Sequence, residues 1–380
     1  MLVRRVLSLL LIALMLSVLF VAALAAASAL PVQDLAQYWA AAHLITKNPY
    51  SETLVTNFER SFGIALNGHP IVMRNPPSAL LYVIPLRYMN YQTAFAVWAL
   101  FSVVIVAGCA RASSGLTNAG PSLAPALIGL LFGPTASLLM LGQLVVLVLL
   151  GVTLFFMMVE RKQCWLAGAS LSLAFVKPHL VLLLLIGVAL WSIKFRRWAV
   201  LLSFVLAVAA TSAVAVLINP HIFGQYIAFA SEFTRETTPY PNIGGMLYLL
   251  SGYHALVFVP QVCGIVWLAF YWRRHRDNWD WKTHGMIVLL VSVACSYYSF
   301  PFDEVIVLPA LMAAFENGDR RAFVGCFVAT NLGFVIYISG FAGVFGFGYM
   351  FLSWTAAAWL ITYLVCERQR IFARQCNRLA

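Results

Sequence analysis

Residues 163–193 read QCWLAGASLSLAFVKPHLVLLLLIGVALWSI, an apolar run bounded by Arg161-Lys162 before it and by Lys194, Arg196 and Arg197 after it. One helical crossing of a bilayer takes about 20 residues. If both basic flanks lie on one side, the run must cross twice on about 15 residues each. Lys177-Pro178-His179 then forms the tip of a short hairpin. The stretch from His284 to Phe315 repeats this geometry, with Phe300-Pro301-Phe302-Asp303-Glu304 at its tip. Hairpins this short end below the opposite membrane surface. Broken backbone at that depth survives only where it is buried in protein or lines a water-filled cavity. Both hairpins therefore predict an outward-facing cavity with ionisable groups inside.

The composition agrees with a membrane protein. Of 380 residues, 62% are hydrophobic and 10% are charged, and the mean hydropathy is +0.89. Soluble domains average about 45–50% apolar and about 25% charged residues. A soluble enzyme, a disulfide-stapled secreted domain, a disordered scaffold and a DNA-binding module are excluded on this ground. The net charge of +11 orients the chain and implies no nucleic-acid partner. Its cations fall in short clusters at 4–5, 161–162, 194–197, 273–276, 320–321 and 368–378, the pattern of loops retained in the cytoplasm. The seven cysteines show no CxxC-type metal spacing and fall in apolar segments or beside these clusters, so no structural disulfide is expected.

The expected fold is all-α: a single polytopic domain over 1–380 with about 10–12 transmembrane helices, short re-entrant hairpins and amphipathic outer-loop helices. Both termini are placed in the cytoplasm of a cell whose inner membrane holds the protein, with the functional face outside. The first span is read over Val6 to Leu30; its small-residue end, Ala25 to Ala29, also suits a cleaved signal peptide. Other spans are expected near 122–133, 137–159, 198–217, 254–272, 322–338 and 349–366. Residues 31–76 and 219–245 are the outer loops. Within the first, Leu35, Tyr38, Trp39, Ala42 and Ile45 have helical spacing, which predicts a helix lying along the membrane surface. Asn48-Pro49 ends it, and a second helix is expected within Ser51 to Leu66.

Three places can carry chemistry. Asp34 stands at the start of the first outer-loop helix, where the helix dipole favours a carboxylate. It can cap that helix or act as a base. Lys177, with His179 beside it, is an intramembrane cation that can bind an anion or snorkel to the interface. Asp303-Glu304 are carboxylates at membrane depth, suited to pairing with Lys177, to ligand hydroxyls or to a divalent ion; no His/Cys cluster supports a metal. Arg74, before Asn75-Pro76-Pro77, can hold a phosphate bidentately or meet lipid headgroups. Gln143, Tyr38 and His43 are weaker polar candidates, as are His221, Arg235 and Asn242.

In order along the chain, Asp34-Leu-Ala-Gln-Tyr38-Trp with Asn48-Pro49-Tyr50, Asn75-Pro76-Pro77, Leu141-Gly142-Gln143, Val176-Lys177-Pro178-His179 and Phe302-Asp303 with Leu308-Pro309-Ala310 resemble the motifs of glycosyltransferase family 87, the polyprenyl-phosphate-mannose-dependent mannosyltransferase-like proteins. The resemblance covers most of residues 1–320, while Asn242-Ile243-Gly244-Gly245 matches only loosely. It implies a C-type glycosyltransferase fold and a polyprenyl-phosphate-linked sugar donor. It also implies a lipid or glycan acceptor and an acidic base in the first outer loop, at the position of Asp34. On that reading Lys177, Arg74 and His179 serve the donor phosphate, and Asp303, Glu304, Gln143, Tyr38 and His43 serve the sugar or acceptor. No cofactor is implied.

The rival is a transporter or lipid flippase, in which Lys177 and Asp303 move substrate or protons. Transporters are commonly built from internal repeats, and no convincing repeat surrounds the two hairpins. A purely structural subunit leaves Asp34, Lys177 and Asp303 without purpose.

Overall fold

The computed structural model describes residues 34–63, 72–115, 123–233, 239–317, 320–338 and 348–379. The expected first span at 6–30 and Arg235 lie outside them. Every regular element among the described residues is helical. Four segments are long and apolar enough to cross a bilayer: Tyr91–Gly115, Trp198–Ile218, His254–Asn278 and Met350–Glu367. Ala124–Leu131 and Gly133–Leu141 form a pair bent by 63°. Shorter apolar helices occupy Val145–Glu160, Cys164–Val176, Pro178–Lys194 and Trp281–Ala294. The chain forms two compact units. The first holds Met1–Ile105, Leu139–Gln143 and Ala210–Arg235; the second holds Val106–Leu138, Leu144–Ala209 and Glu236–Ala380.

Both hairpins are present in the second unit as broken helices. In the first hairpin, Cys164–Leu171 tightens into a 3₁₀ stretch over Ser172–Val176 and stops at Lys177, whose backbone leaves the helical region (φ −136°, ψ 71°). Proline disfavours helical backbone at the residue before it, so Pro178 dictates where the break falls. The chain resumes through Pro178–Val181 into Leu182–Lys194. The break leaves amide and carbonyl groups that lipid cannot satisfy. Ser292, fully buried on Met286–Ala294, answers two of them. Its hydroxyl donates to the Leu180 carbonyl at 2.9 Å and accepts the Leu183 amide at 3.1 Å.

The bend after Leu131 uses the same device. Asn331, on the helix Arg320–Ile338, accepts the Gly133 amide at 2.7 Å and donates to the Leu131 carbonyl at 3.0 Å. The bend falls at the expected end of the 122–133 span, whereas a second break at Gly142 interrupts the continuous span expected at 137–159. Gly142 has a left-handed backbone (φ +68°), a conformation glycine adopts without steric cost, and the helix restarts at Val145.

In the first unit, the helix Leu35–Leu44 is buried on nearly every face rather than along the single stripe expected of a surface helix. Ala40, Ala41 and Ala42 are fully buried, and their small side chains allow close packing all round. Ala40 and Leu44 form a core with Val55 and Val72, against which Leu54, Phe58 and Phe229 pack. Asn219 closes the far end, with its side-chain amide 3.0 Å from the carbonyls of Ile45 and Lys47. The second helix of this loop, Glu52–Ser61, is capped by Ser51 and is one-sided: Val55 and Glu59 are its buried residues.

Ser292→Ala strands the Leu180 carbonyl and Leu183 amide and should lower stability by about 1–3 kcal/mol, read as a lower thermal midpoint in detergent. An unchanged midpoint would mean that the hairpin re-forms without the hydroxyl. Glu59 has both carboxylate oxygens buried without a hydrogen-bond partner, and burial pushes its carboxyl up from 4.5 to about 7. Between those values the folded state keeps a proton the unfolded state has lost. Stability therefore falls as pH rises from about 4.5 to about 7 and stays low above that. Glu59→Gln should be more stable than wild type at pH 8, by on the order of 1–2 kcal/mol, and indistinguishable near pH 4.5. Parallel profiles for the two proteins would refute the buried-carboxylate account.

Candidate active site

Asp34 opens the helix Leu35–Leu44, but its side chain makes no capping hydrogen bond, and its own backbone is already helical (φ −59°, ψ −19°). Of the two roles open to it, capping is not the one it fills. Its carboxylate instead accepts a short hydrogen bond from the Gln143 side-chain amide. The Gln143 carbonyl oxygen accepts the Tyr38 hydroxyl at 3.0 Å, and the Gln143 backbone carbonyl faces the Trp98 indole N–H at 3.4 Å. An amide that accepts at its oxygen while donating from its nitrogen is fixed in orientation, so the Asp34 carboxylate is aimed rather than free to rotate. Asp34 is half-buried, and Tyr38 and Gln143 are buried.

Gly142 makes this approach possible. A Cβ there would lie 2.8 Å from the Cβ of Leu35, the neighbour of Asp34. The Leu141-Gly142-Gln143 motif is thus a backbone solution for bringing an amide against the start of a helix. Trp98 was not singled out by sequence reasoning, because one more tryptophan in an apolar helix carries no distinguishing signal.

The other candidates of the first unit are placed differently. His43 turns its Nδ1 to the Trp39 carbonyl at 2.9 Å and packs edge-on to the Trp39 ring, 4.5 Å between centroids, with Phe58 at 4.9 Å. It belongs to an aromatic wall that Phe62 and Tyr91 extend around Trp39. Arg74 is half-buried in the extended segment before Pro76, beside Asn75, whose carbonyl accepts the Tyr50 hydroxyl at 3.0 Å.

The second unit brings Lys177 and Asp303 together. The Lys177 ammonium is 2.8 Å from Asp303 Oδ1, and both side chains are nearly inaccessible, at 8% and 0%. Asp303 Oδ2 accepts the Phe300 amide at 3.0 Å, and the Phe302 ring lies 4.8 Å from the ammonium. Taking two charges out of water costs several kcal/mol per ion, which only good geometry and further hydrogen bonds repay. The amide and the aromatic face supply them. Glu304 turns elsewhere and accepts the Thr355 hydroxyl, a partner without any sequence signature. His179 packs against Tyr298 and Tyr297 at 5.2 and 5.9 Å, and its buried Nε2 has no hydrogen-bond partner. Asn242 caps the helix Ile243–Ser251 by accepting the Gly245 amide at 2.7 Å. Among the described residues, no three His, Cys, Asp or Glu side chains gather as a metal ion would require.

The sequence model of glycosyltransferase family 87 matches residues 74–296, more than half of the chain. The chain belongs to glycosyltransferase family 87. It is a membrane glycosyltransferase, which carries a sugar from a donor to an acceptor, and the transporter reading falls away. The match includes Arg74, Gln143, Lys177 and His179, and it ends before Asp303; Asp34 precedes its start. No curated protein and no solved structure matches the chain.

Gly142→Ala places a side chain in left-handed backbone, at a cost of roughly 1–2 kcal/mol, and pushes it into Leu35. The expected outcome is a larger loss of transferase turnover than of thermal stability, because Gln143 is displaced from Asp34. Loss of stability with turnover intact would separate the glycine from the site.

Proposed function

We propose that this glycosyltransferase moves a hexose, mannose in the first instance, from a polyprenyl-phosphate donor to a lipid or glycan acceptor on the extracytoplasmic side, with Asp34 as general base. The supporting observation is the aimed carboxylate. Asp34 leaves its helix uncapped and is oriented by Gln143, which Tyr38 orients in turn. A carboxylate used only to cap would bond the backbone of its own helix.

The chemistry is a single displacement. The acceptor hydroxyl gives its proton to Asp34 as its oxygen bonds to the sugar's anomeric carbon. The bond from that carbon to the phosphate oxygen breaks, and its electron pair leaves on the lipid phosphate. One base and one displacement invert the anomeric centre, whereas retention would take a second, nucleophilic carboxylate. A donor that arrives on its own lipid suits a protein whose bulk is solvated by bilayer. The donor class itself follows from the motif resemblance.

The leaving phosphate gains charge and needs cations. We assign that role to Lys177 and Arg74, with His179 assisting. The Lys177 ammonium donates to Asp303 at 2.8 Å, and Asp303 is assigned as a positioning residue for Lys177. The unpartnered Nε2 of His179 favours a ligand contact there. Glu304, Tyr38 and His43 are left as supports of this machinery rather than as sugar ligands.

In nanodiscs, with radiolabelled polyprenyl-phosphate mannose and a membrane-lipid extract, Asp34→Asn should lose about 10²–10⁴-fold in turnover while still retaining donor lipid. Tyr38→Phe should lose less. Lys177→Met should weaken donor retention as well as turnover. Transfer by Asp34→Asn at the wild-type rate would remove Asp34 as the base. Transfer from other lipid-linked hexoses but not from mannose would change the donor and keep the mechanism.

A further inference from the structure

The segment Asn242-Ile243-Gly244-Gly245 has no part in the sugar-transfer chemistry assigned above, and its geometry shows what it holds. Asn242 caps the helix Ile243–Ser251, and its side-chain amide lies 3.4 Å from the Ser299 hydroxyl. A Cβ at Gly244 would collide with the Val257 carbonyl, and one at Gly245 with the Tyr240 carbonyl. The two glycines therefore let this helix seat directly on the backbone at Tyr240 and in the segment His254–Phe258. The Tyr240 ring in turn packs on Tyr298 at 4.5 Å and on Phe300 at 5.8 Å, at the tip of the second hairpin.

Those rings belong to a continuous row. It starts at the Lys177 ammonium, 4.8 Å from the Phe302 ring. From Phe302 it runs to Phe300 at 5.3 Å, Tyr298 at 5.6 Å, His179 at 5.2 Å, Tyr297 at 5.9 Å and Phe258 at 5.4 Å. Every ring-to-ring step falls within the roughly 4.5–7 Å of favourable aromatic pairs. Exposure changes along the row. Phe302 is 7% exposed, the four rings that follow are half-buried, and Phe258 is 46% exposed. Phe258 itself lies in the apolar spanning segment His254–Asn278, where Val259 and Val262 are exposed as well.

Such a row differs from an interfacial belt. Belt aromatics anchor helices at headgroup level, and that task gives them no reason to touch one another or to lead inward to a cation. A buried cation at one end and lipid-facing surface at the other fit an amphiphile whose anionic head is drawn in and whose long apolar tail runs out to the bilayer. The rings are tilted against one another, so faces and edges alternate along the path. A saturated chain gains only burial on such a surface. The π bonds of an isoprenoid chain also meet ring edges, as ring faces do.

We propose that the row from Phe302 to Phe258 is the binding track for the isoprenoid chain of the donor lipid, selecting an unsaturated polyprenyl chain over a saturated one. This rests on the donor reading above and adds the residues that recognise the carrier rather than its phosphate or sugar.

The test is native mass spectrometry of the full chain in detergent, with polyprenyl phosphate and its fully hydrogenated counterpart of equal chain length present together. Detergent partition affects wild type and variants alike, so the change in the retained ratio is the readout. Wild type should favour the unsaturated lipid. Phe258→Leu and Phe300→Leu, which stay apolar but remove a ring, should each cut that ratio about 5-fold, equivalent to about 1 kcal/mol, the scale of one aromatic contact. Phe258 is exposed enough to tolerate replacement, so Phe258→Leu decides the matter if Phe300→Leu does not fold. A ratio unchanged in the folded variants would return the row to an interfacial belt and overturn the proposal. The donor reading would survive that result if Lys177→Met still retained less of either lipid than wild type. Retention by wild type no better than by Lys177→Met would remove the donor reading, and the track with it.

Discussion

Where a helix breaks inside a bilayer, the backbone groups set loose have no water to turn to, and two of the breaks in this chain are answered by a side chain from a distant helix. Ser292 bridges the Leu180 carbonyl and the Leu183 amide after Pro178. Asn331 bridges Leu131 and Gly133 across the 63° bend. These bonds tie the broken segments to the helices that carry the bridging residues, so that neither can shift without stranding a polar group. The Lys177–Asp303 pair depends on that rigidity. A buried ion pair is tolerable only where its geometry is fixed. Lys177 occupies the residue that Pro178 forces out of helix, while Asp303 sits at the start of the 3₁₀ segment Pro301–Val307. Both partners are therefore held by backbone.

The first unit applies the same economy to Asp34. Helix starts expose amide groups that a carboxylate would ordinarily take. Here the carboxylate is drawn off by Gln143, which reaches it because Gly142 turns left-handed against Leu35. A hydrogen bond that could have stabilised the helix start is diverted to orienting the Asp34 carboxylate. Small departures from local optimality of this kind concentrate where function constrains a fold. Glu59, buried without a partner on the neighbouring helix, is a second departure in the same loop and has not been assigned a chemical role.

The broken hairpins were legible in the sequence because charge and length constrain them jointly: basic flanks at both ends and too few residues for two full crossings. Their tips offered the Lys177–Asp303 pair as one of three readings, beside ligand hydroxyls and a divalent ion, and the ion pair is formed. The family was legible from motif order. What the sequence did not disclose were interactions set by tertiary approach. Gln143 and Asp34 are 109 positions apart, and nothing in either segment points to the other. Glu304 and Thr355 are joined in the same way. The helix Leu35–Leu44 was misjudged for a related reason. Alanines at 40–42 suit the buried and the exposed side of a helix equally, so periodicity saw one apolar stripe where packing made burial nearly complete.

The neutrality of the Lys177–Asp303 pair bears on how a lipid phosphate would be released. A sugar–phosphate diester donor carries one negative charge, whereas the phosphate monoester left behind carries close to two at neutral pH. An isolated cation would hold the product more tightly than the substrate, favouring the chemical step and slowing departure. In the proposed mechanism Asp303 works against that. By sharing the ammonium it would reduce the net attraction for either lipid. The pair can then stabilise a change in charge at one atom without retaining the doubly charged product by its net field. On this reading Asp303 earns its place at the tip by limiting product retention as well as by fixing Lys177, and both effects arise from the single 2.8 Å contact.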